Sequence, residues 1–328
     1  MIDLLTSDYA THLAILIGIY LILAQSFNLS FGVGQLFNLA HIAIFGIGAY
    51  TTAILSTELE IGFWRAIIAS GLLGMLMAIF LGGIAIRLKK DYFAIGTLAF
   101  SAIVSALFMN WKSLTRGVLG IPGIPRPELA GVSLYDNNEF LLLVVFWVVV
   151  TQLTLYFLFF NRYGRLLRSQ AEFEQAAQGF AQNTALVRNC AFGISSFFAG
   201  IAGSLFAYYM NYIDPTSFGL HEMIFVLTIL VVGGPGKFWG VILATFFLVL
   251  LPESLRFTGE VSPMLEGLAG VSSGELNQVP LLGWIGAFFD SVSQPSVLGP
   301  ARQMLYAIVL FICVYIRREK LFIEVRSV

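Results

Sequence analysis

The sequence predicts an all-α fold, a polytopic bundle of transmembrane helices. Three observations carry that expectation. Hydrophobic residues make up 58% of the 328 and charged residues 11%, where soluble domains hold roughly 25% charged. The apolar residues come in long blocks; Phe140–Phe160 holds no charge and matches the ~20 residues that span a bilayer core. The charges collect between the blocks, with a net of -1. That balance gives no sign of a nucleic-acid partner and leaves lipid as the surrounding medium.

Along the chain there are about nine apolar segments of membrane type. The first is Leu13–Leu29, preceded by MIDLLTSDYATH. That leader lacks the positive charge of a secretory signal, so the first block is expected to be a retained span. Leu36–Leu55, Ala66–Ile86, Tyr92–Trp111, Phe140–Phe160 and Cys190–Ile213 follow. Next come Met223–Val232 and Phe238–Leu251, separated by Gly-Gly-Pro-Gly-Lys at 233–237. Proline removes a backbone donor and glycine permits unusual dihedrals, so a helix break is expected there. These two segments are read as full spans or as broken, re-entrant helices. Gln303–Ile316 closes the series.

Lysine and arginine in short loops mark the cytoplasmic side. Arg87, Lys89 and Lys90, the 161–189 segment with Arg162, Arg165, Arg168 and Arg188, and the tail with Arg317, Arg318, Lys320 and Arg326 fall on that side. The connection with Glu58 and Glu60, the loop Asp214–Glu222 and the segment Pro252–Arg302 fall on the other. With nine crossings these assignments alternate without conflict. They place the N-terminus outside and the C-terminus inside the cell, and make 1–328 a single transmembrane domain.

Chemistry-bearing groups are sparse. Within the blocks the one ionisable side chain of acid, base or histidine type is His41. There is no HExxH and no Walker A motif, so neither an enzyme nor an ATP-hydrolysing chain is expected, and no cofactor or metal. Cys190 and Cys313 read as small apolar side chains. Glycine is frequent inside the blocks, as at Gly46, Gly48, Gly200 and Gly203. Close helix packing explains that use, with a pore-lining role as the alternative.

Neutral polar residues concentrate in one stretch, where Asn28, Gln35, Asn38 and His41 stand close together. On a helix Asn38 and His41 would share one face. Polar side chains in lipid turn toward protein or water. Two readings follow: hydrogen bonds between helices, or the wall of a polar translocation path. The other informative stretch is 161–189, long for a connection and rich in helix formers. One or two short cytoplasmic helices are expected there, either as a solvated loop or as a docking site for a partner.

Four stretches together resemble one family. They are GVGQLFNLAHIAIFGIGAYTTAIL at 32–55, RLKKDYFAIGTLAFSAIV at 87–104, the run from Gly164 to Phe218, and ILVVGGPGKFWGVILATFFLVLLPESLR at 229–256. In this order they are similar to the M-type permeases of branched-chain amino acid ABC importers. The resemblance implies a heterodimer with a paralogous permease, two ATPase subunits below it that bind the ATP and Mg, and a periplasmic binding protein that delivers substrate. It implies a bacterial inner-membrane location and transport by alternating access. It makes the segment around Arg165–Ala181 the coupling loop, including Arg168.

Glu172, Glu174, Ala176 and Ala177 match the family's acidic and double-alanine positions. Ala171, Glu172 and Phe173 stand where the family carries Arg-Glu-Asp, and Ala181 where it has glycine. Phe173 is apolar for a solvated loop, which suggests insertion into a groove of the ATPase. Pro252–Arg302 is longer than the family's usual connection and carries Leu281, Leu282, Trp284, Ile285, Phe288 and Phe289. An extracellular cap or interfacial helix is expected there.

The scarcity of intramembrane charge suits a branched-chain or other neutral amino acid. Urea or short amides are the alternative solutes, and an ion-coupled secondary transporter the alternative machine.

Overall fold

A computed structural model describes residues 7–85, 90–129, 132–133, 136–179, 183–251 and 304–315. The expected loop at 252–302, the basic turn at 87–89, Ala181 and the tail from 316 lie outside the described residues. Residues 1–245 form one compact unit and 246–328 a second.

The first unit begins with α1 (Ser7–Phe27), which runs into a π-helical turn, Asn28–Val33. Helices α2 (His41–Thr57), α3 (Phe63–Ala85) and α4 (Lys90–Asn110) follow, then the short α5 (Lys112–Thr115). After a loop with small strands comes α6 (Asn137–Phe160), begun by Asp136, whose side chain accepts a bond from the Asn138 N–H. Two surface helices, α7 (Arg162–Glu172) and α8 (Glu174–Gly179), lead to α9 (Thr184–Met210). Then α10 (Leu220–Gly233) and α11 (Phe238–Leu251) flank the Gly-Pro-Gly break, and α12 (Met304–Tyr315) belongs to the second unit. Among the described residues, five helices are long and apolar enough to cross a membrane, and α2, α10, α11 and α12 are shorter apolar helices. Each of the nine apolar blocks of the sequence therefore contains a helix.

The centre of the first unit is α9, packed against α1, α2 and α3, with α6 against α1. In α9, 78% of the most apolar window is buried, and in α4 only 22%. Helices α3, α4 and α6 therefore turn apolar side chains outward, among them Leu76, Phe80, Ile95, Leu142 and Phe157. Such faces suit hydrocarbon, where a soluble protein would present charge.

Glycine sets the closeness of the central contact. A Cβ on Gly48 would collide with the Gly200 carbonyl, and one on Gly203 with the Phe45 carbonyl. At this seam Thr52 Oγ1 lies 2.7 Å from both Ser70 Oγ and Ser204 Oγ, joining α2, α3 and α9.

At the end of the bundle where α6 begins, the chain after α4 is tied to the chain after α9. Ile121 pairs with Ile213 in an antiparallel bridge. Asn211, left-handed at φ 56, ends α9. Its Nδ2 donates to the Ile124 carbonyl at 2.8 Å. Nearby Asp214 caps the turn Pro215–Phe218. Burial pulls its carboxyl upward, but bonds from Thr216 and Ser217 outweigh that and hold it below the usual range.

Candidate functional site

The polar stretch predicted from Asn28 to His41 joins α1 to α2, and the structure splits it into two parts. The first part is a junction of helix breaks. The π turn widens the end of α1 and aims two fully buried amides at the break between α10 and α11. Gln25 Nε2 donates to the Phe238 carbonyl at 2.8 Å. Asn28 Nδ2 donates to Gln25 Oε1 at 3.1 Å, and Asn28 Oδ1 accepts from the Gly236 N–H at 2.8 Å.

A helix end in lipid leaves backbone groups that cost several kcal/mol each if unpaired; Asn28 satisfies one of them, the Gly236 N–H. Gly234 and Gly236, at φ 90 and 75, take conformations that side chains disfavour. A Cβ on Gly32 would collide with Asn28 Oδ1 and the Gly236 nitrogen, so a glycine is needed there for the two breaks to meet.

The second part is the start of α2. Here one expectation fails: Asn38 is not on a helix with His41. Its Oδ1 accepts from the Ala40 N–H at 2.8 Å, a local turn that competes with helix. Helix α2 begins only at His41. Gln35 is half-buried and left-handed at φ 49. His41 Nε2 lies 3.0 Å from Ser26 Oγ, whose hydroxyl also reaches the Leu23 carbonyl at 2.8 Å. His41 and Asn38 are fully buried, and His41 Nδ1 and Asn38 Nδ2 meet no hydrogen-bond partner. Asn28, Asn38 and His41 make no hydrogen bond to one another. Gln25, Ser26 and Thr97, which accepts from the Leu39 N–H at 3.0 Å, belong to this polar interior but are not singled out by the sequence reading. A glutamine inside an apolar block is costly enough to have marked Gln25.

In the 161–189 segment, where one or two short helices are expected, the described residues form α7, α8 and the start of α9. Gly164 lets the chain turn sharply out of α6, since a Cβ there would collide with the Leu158 and Phe159 carbonyls. Asn161 caps α7 by accepting from the Arg162 N–H at 2.7 Å. Arg165 Nη1 donates to the Phe160 carbonyl at 3.1 Å, closing the end of α6. Leu167 is fully buried and borders Gly34, where a Cβ would lie 3.6 Å from Leu167 Cδ1. Helix α7 is thus seated on the end of the π turn.

Tyr163 donates to the Val187 carbonyl of α9 at 2.8 Å. Burial, with Cys190 nearby, pushes its phenol up. Arg168 is half-buried and Glu172 exposed. Phe173 interrupts the helices at φ -137 and ψ 75 and is 71% exposed. Glu174, Ala176 and Ala177 lie on α8, with Ala177 buried.

Among the described residues no group of His, Cys, Asp and Glu could hold a metal ion. What the arrangement offers is mechanical. A surface helix rests on a widened turn, and that turn is bolted to a second helix break.

Apolar helices with outward-facing hydrocarbon surfaces and paired interior breaks define a polytopic membrane permease. The family described as branched-chain amino acid transport system / permease component matches residues 9–272, and the chain belongs to that family. It is similar to the high-affinity branched-chain amino acid transport system permease protein LivM of Escherichia coli strain K12, at 35% identity over 80% of this chain and 66% of that protein. The protein of the same name in Salmonella typhimurium strain LT2 is 34% identical over 76% of this chain and 64% of its own. A probable branched-chain amino acid transport permease protein LivM of Methanocaldococcus jannaschii is 26% identical over 74% and 80%. The chain spans just under two thirds of the first two relatives. No solved structure matches it significantly.

Proposed function

We propose that this chain is the membrane permease subunit of an ATP-binding-cassette importer that carries branched-chain or other neutral amino acids from periplasm to cytoplasm. The observation that carries this reading is the family match over residues 9–272. The seating of α7 on the π turn supports the mechanism. A paralogous permease completes the pathway, a periplasmic binding protein delivers the substrate, and two ATPase subunits supply ATP and Mg chemistry. The ATPases dock on the 161–189 segment, where Arg165, Arg168, Glu172, Phe173, Glu174, Ala176, Ala177 and Ala181 form the contact. The protein sits in the bacterial inner membrane with its N-terminus outside and C-terminus inside, and 252–302 is an extracellular insertion of its one transmembrane domain.

Movement of α7 would shift the turn at Asn28–Val33 and, through Asn28, the α10–α11 break. Asn28, Gln35, Asn38 and His41 would line the polar path that opens and closes in response. Alternating access then needs no covalent step in this chain.

The test is purification of the tagged chain from its native membrane with partners identified by mass spectrometry, followed by uptake assays in proteoliposomes. Recovery of two ATPases and a second permease, with ATP-dependent leucine uptake, supports the reading. A chain that purifies alone and moves amino acids down an ion gradient overturns it in favour of a secondary transporter. ATP-driven uptake of urea without leucine uptake keeps the machine and replaces the substrate.

A further inference from the structure

At the far end of α6 from α7 lies a cavity of about 540 Å3. Helix α6 has 24 residues, so the two ends are roughly 36 Å apart at 1.5 Å per residue. By the charge asymmetry of the loops this is the outer end. The volume falls within the range of about 300–1,000 Å3 usual for small-molecule sites. Its walls combine three kinds of group: an apolar surface from Ile61, Phe63 and Tyr208, one cation, Arg126, and two carboxylates, Glu60 and Glu128.

Arg126 is held rigidly but not neutralised. Its Nε donates to Asn211 Oδ1 at 3.2 Å and its Nη2 to Asn137 Oδ1 at 3.4 Å. The guanidinium lies 5.5 Å from the Phe140 ring centre and 5.6 Å from that of Tyr209. Among the described residues its partners are neutral amides and aromatic faces, and its buried Nη1 meets no acceptor. Fixing a guanidinium this way costs desolvation that an anion would offset, and a carboxylate is the anion its fork fits best.

Glu60 and Glu128 are both exposed on the same cavity. Glu60 also stands at φ 48, a left-handed conformation uncommon for glutamate. This conformation belongs to the turn that ends α2, where the Ile61 N–H donates to the Leu55 carbonyl at 2.9 Å, and it fixes Glu60 in the cavity wall.

We infer that this cavity is an outer subsite for the zwitterion of an apolar α-amino acid, which holds the substrate before it enters the membrane path. Arg126 takes the α-carboxylate, Glu60 and Glu128 take the α-ammonium, and the side chain lies on Ile61, Phe63 and Tyr208. The opposed charges favour a zwitterion over urea, which carries no charge to pair. The inference rests on the importer reading and names where on this chain its substrate is first held.

The experiment uses the full chain in its assembled complex in nanodiscs, without the binding protein, and detects millimolar leucine by saturation-transfer NMR. Wild-type should show leucine contacts that leucinamide and N-acetyl-leucine fail to displace. Arg126→Gln should weaken binding by at least about tenfold, the loss expected for one charge-assisted pair, and Arg126→Lys by less. Glu60→Gln and Glu128→Gln should each weaken it severalfold. Thermal midpoints equal to wild-type exclude misfolding, and Arg126→Lys, which keeps the charge, tests the guanidinium fork where Arg126→Gln fails that control.

Absence of leucine contact in wild-type, or contact unchanged by all three charge-removing variants, overturns the subsite. ATP-driven leucine uptake by the same preparation, measured separately, keeps the importer reading intact in that event. Its absence there would count against the importer reading itself.

Discussion

Where α2 crosses α9 the two backbones touch, with Gly48 against the Gly200 carbonyl and Gly203 against that of Phe45. Where α1 meets the α10–α11 break, the helices themselves are interrupted and contact runs through two amide side chains, Gln25 and Asn28. The seam is fully buried and the junction partly so, with Gln25 and Asn28 buried and Gly236 half-buried, and both depend on glycine. The first has no freedom, because every displaced atom belongs to a backbone. The second holds its parts by two hydrogen bonds of 2.8 Å, with the two amides bonded to each other at 3.1 Å, and such bonds can be broken and re-formed at about 1 kcal/mol each in lipid. If the seam is a pivot and the junction a joint, substitutions at the two places should behave differently.

The largest effect is expected at the seam. Gly203→Leu drives a side chain into the Phe45 carbonyl and lies 2.9 Å from the Ala49 nitrogen. Neither can rotate aside, so the cost should reach or exceed the upper end of overpacking, about 3 kcal/mol. Folded protein in the membrane fraction should fall to a trace, and any survivor should melt far below wild-type in detergent. Normal yield and midpoint would mean the helices part easily and the seam is no pivot.

Asn28→Ala should sharpen the other half of the comparison. It strips the Gly236 N–H and the Gln25 carbonyl oxygen of their partner, which costs about 1–3 kcal/mol. The protein should still assemble, with a modestly lowered midpoint, while uptake drops by at least about tenfold. Uptake proportional to the folded protein would make Asn28 a structural clamp with no part in movement. Asn28→Asp keeps the acceptor for Gly236 and loses the donor to Gln25, so it should fall between.

Phe173→Ala removes a side chain that is 71% exposed at the α7–α8 kink. Surface changes of this sort usually stay within about 0.5 kcal/mol, so stability should hold. Co-purification of the ATPases should drop severalfold if Phe173 enters a groove on them. Pull-down at wild-type levels would remove Phe173 from the contact.

The two regions were unequally legible in the sequence. The seam is legible because Gly48, Gly200 and Gly203 sit inside apolar blocks, where close helix packing is the first of the two uses of small side chains. The break at 233–237 was equally plain from its proline and glycines. Their meeting with Asn28 was not, since it joins residues 208 positions apart and nothing local encodes that distance. The start of α2 was misjudged because Asn38 lies in an apolar run that reads as helix. Its side chain instead bonds Ala40 two residues on, and this local preference wins once the helix has already been broken at the π turn. Arg126 is unmarked in the sequence for a related reason: it lies in a Pro-rich loop, and only the fold brings Asn137 and Asn211 around it.

The smallest effect is expected at Tyr163, which ties α7 to α9 through the Val187 carbonyl. If α7 transmits motion to the joint, this bond sets how firmly it is anchored. Tyr163→Phe should cost about 1 kcal/mol, read as a slightly lowered midpoint near neutral pH. Burial raises the phenol above its ordinary value of 10.0, which gives the gap a pH signature. Below pH 10 both folded and unfolded chains keep the proton and the stabilisation is fully present. As pH rises past 10 the unfolded chain releases its proton while the folded one retains it, so the unfolded state gains and the stabilisation is lost. The difference in midpoint between wild-type and Tyr163→Phe should therefore be constant from pH 7 to 9 and narrow above 10. A gap that stays constant through pH 11 would mean that the phenol titrates as it does in water, and that α7 is anchored by Leu167 alone.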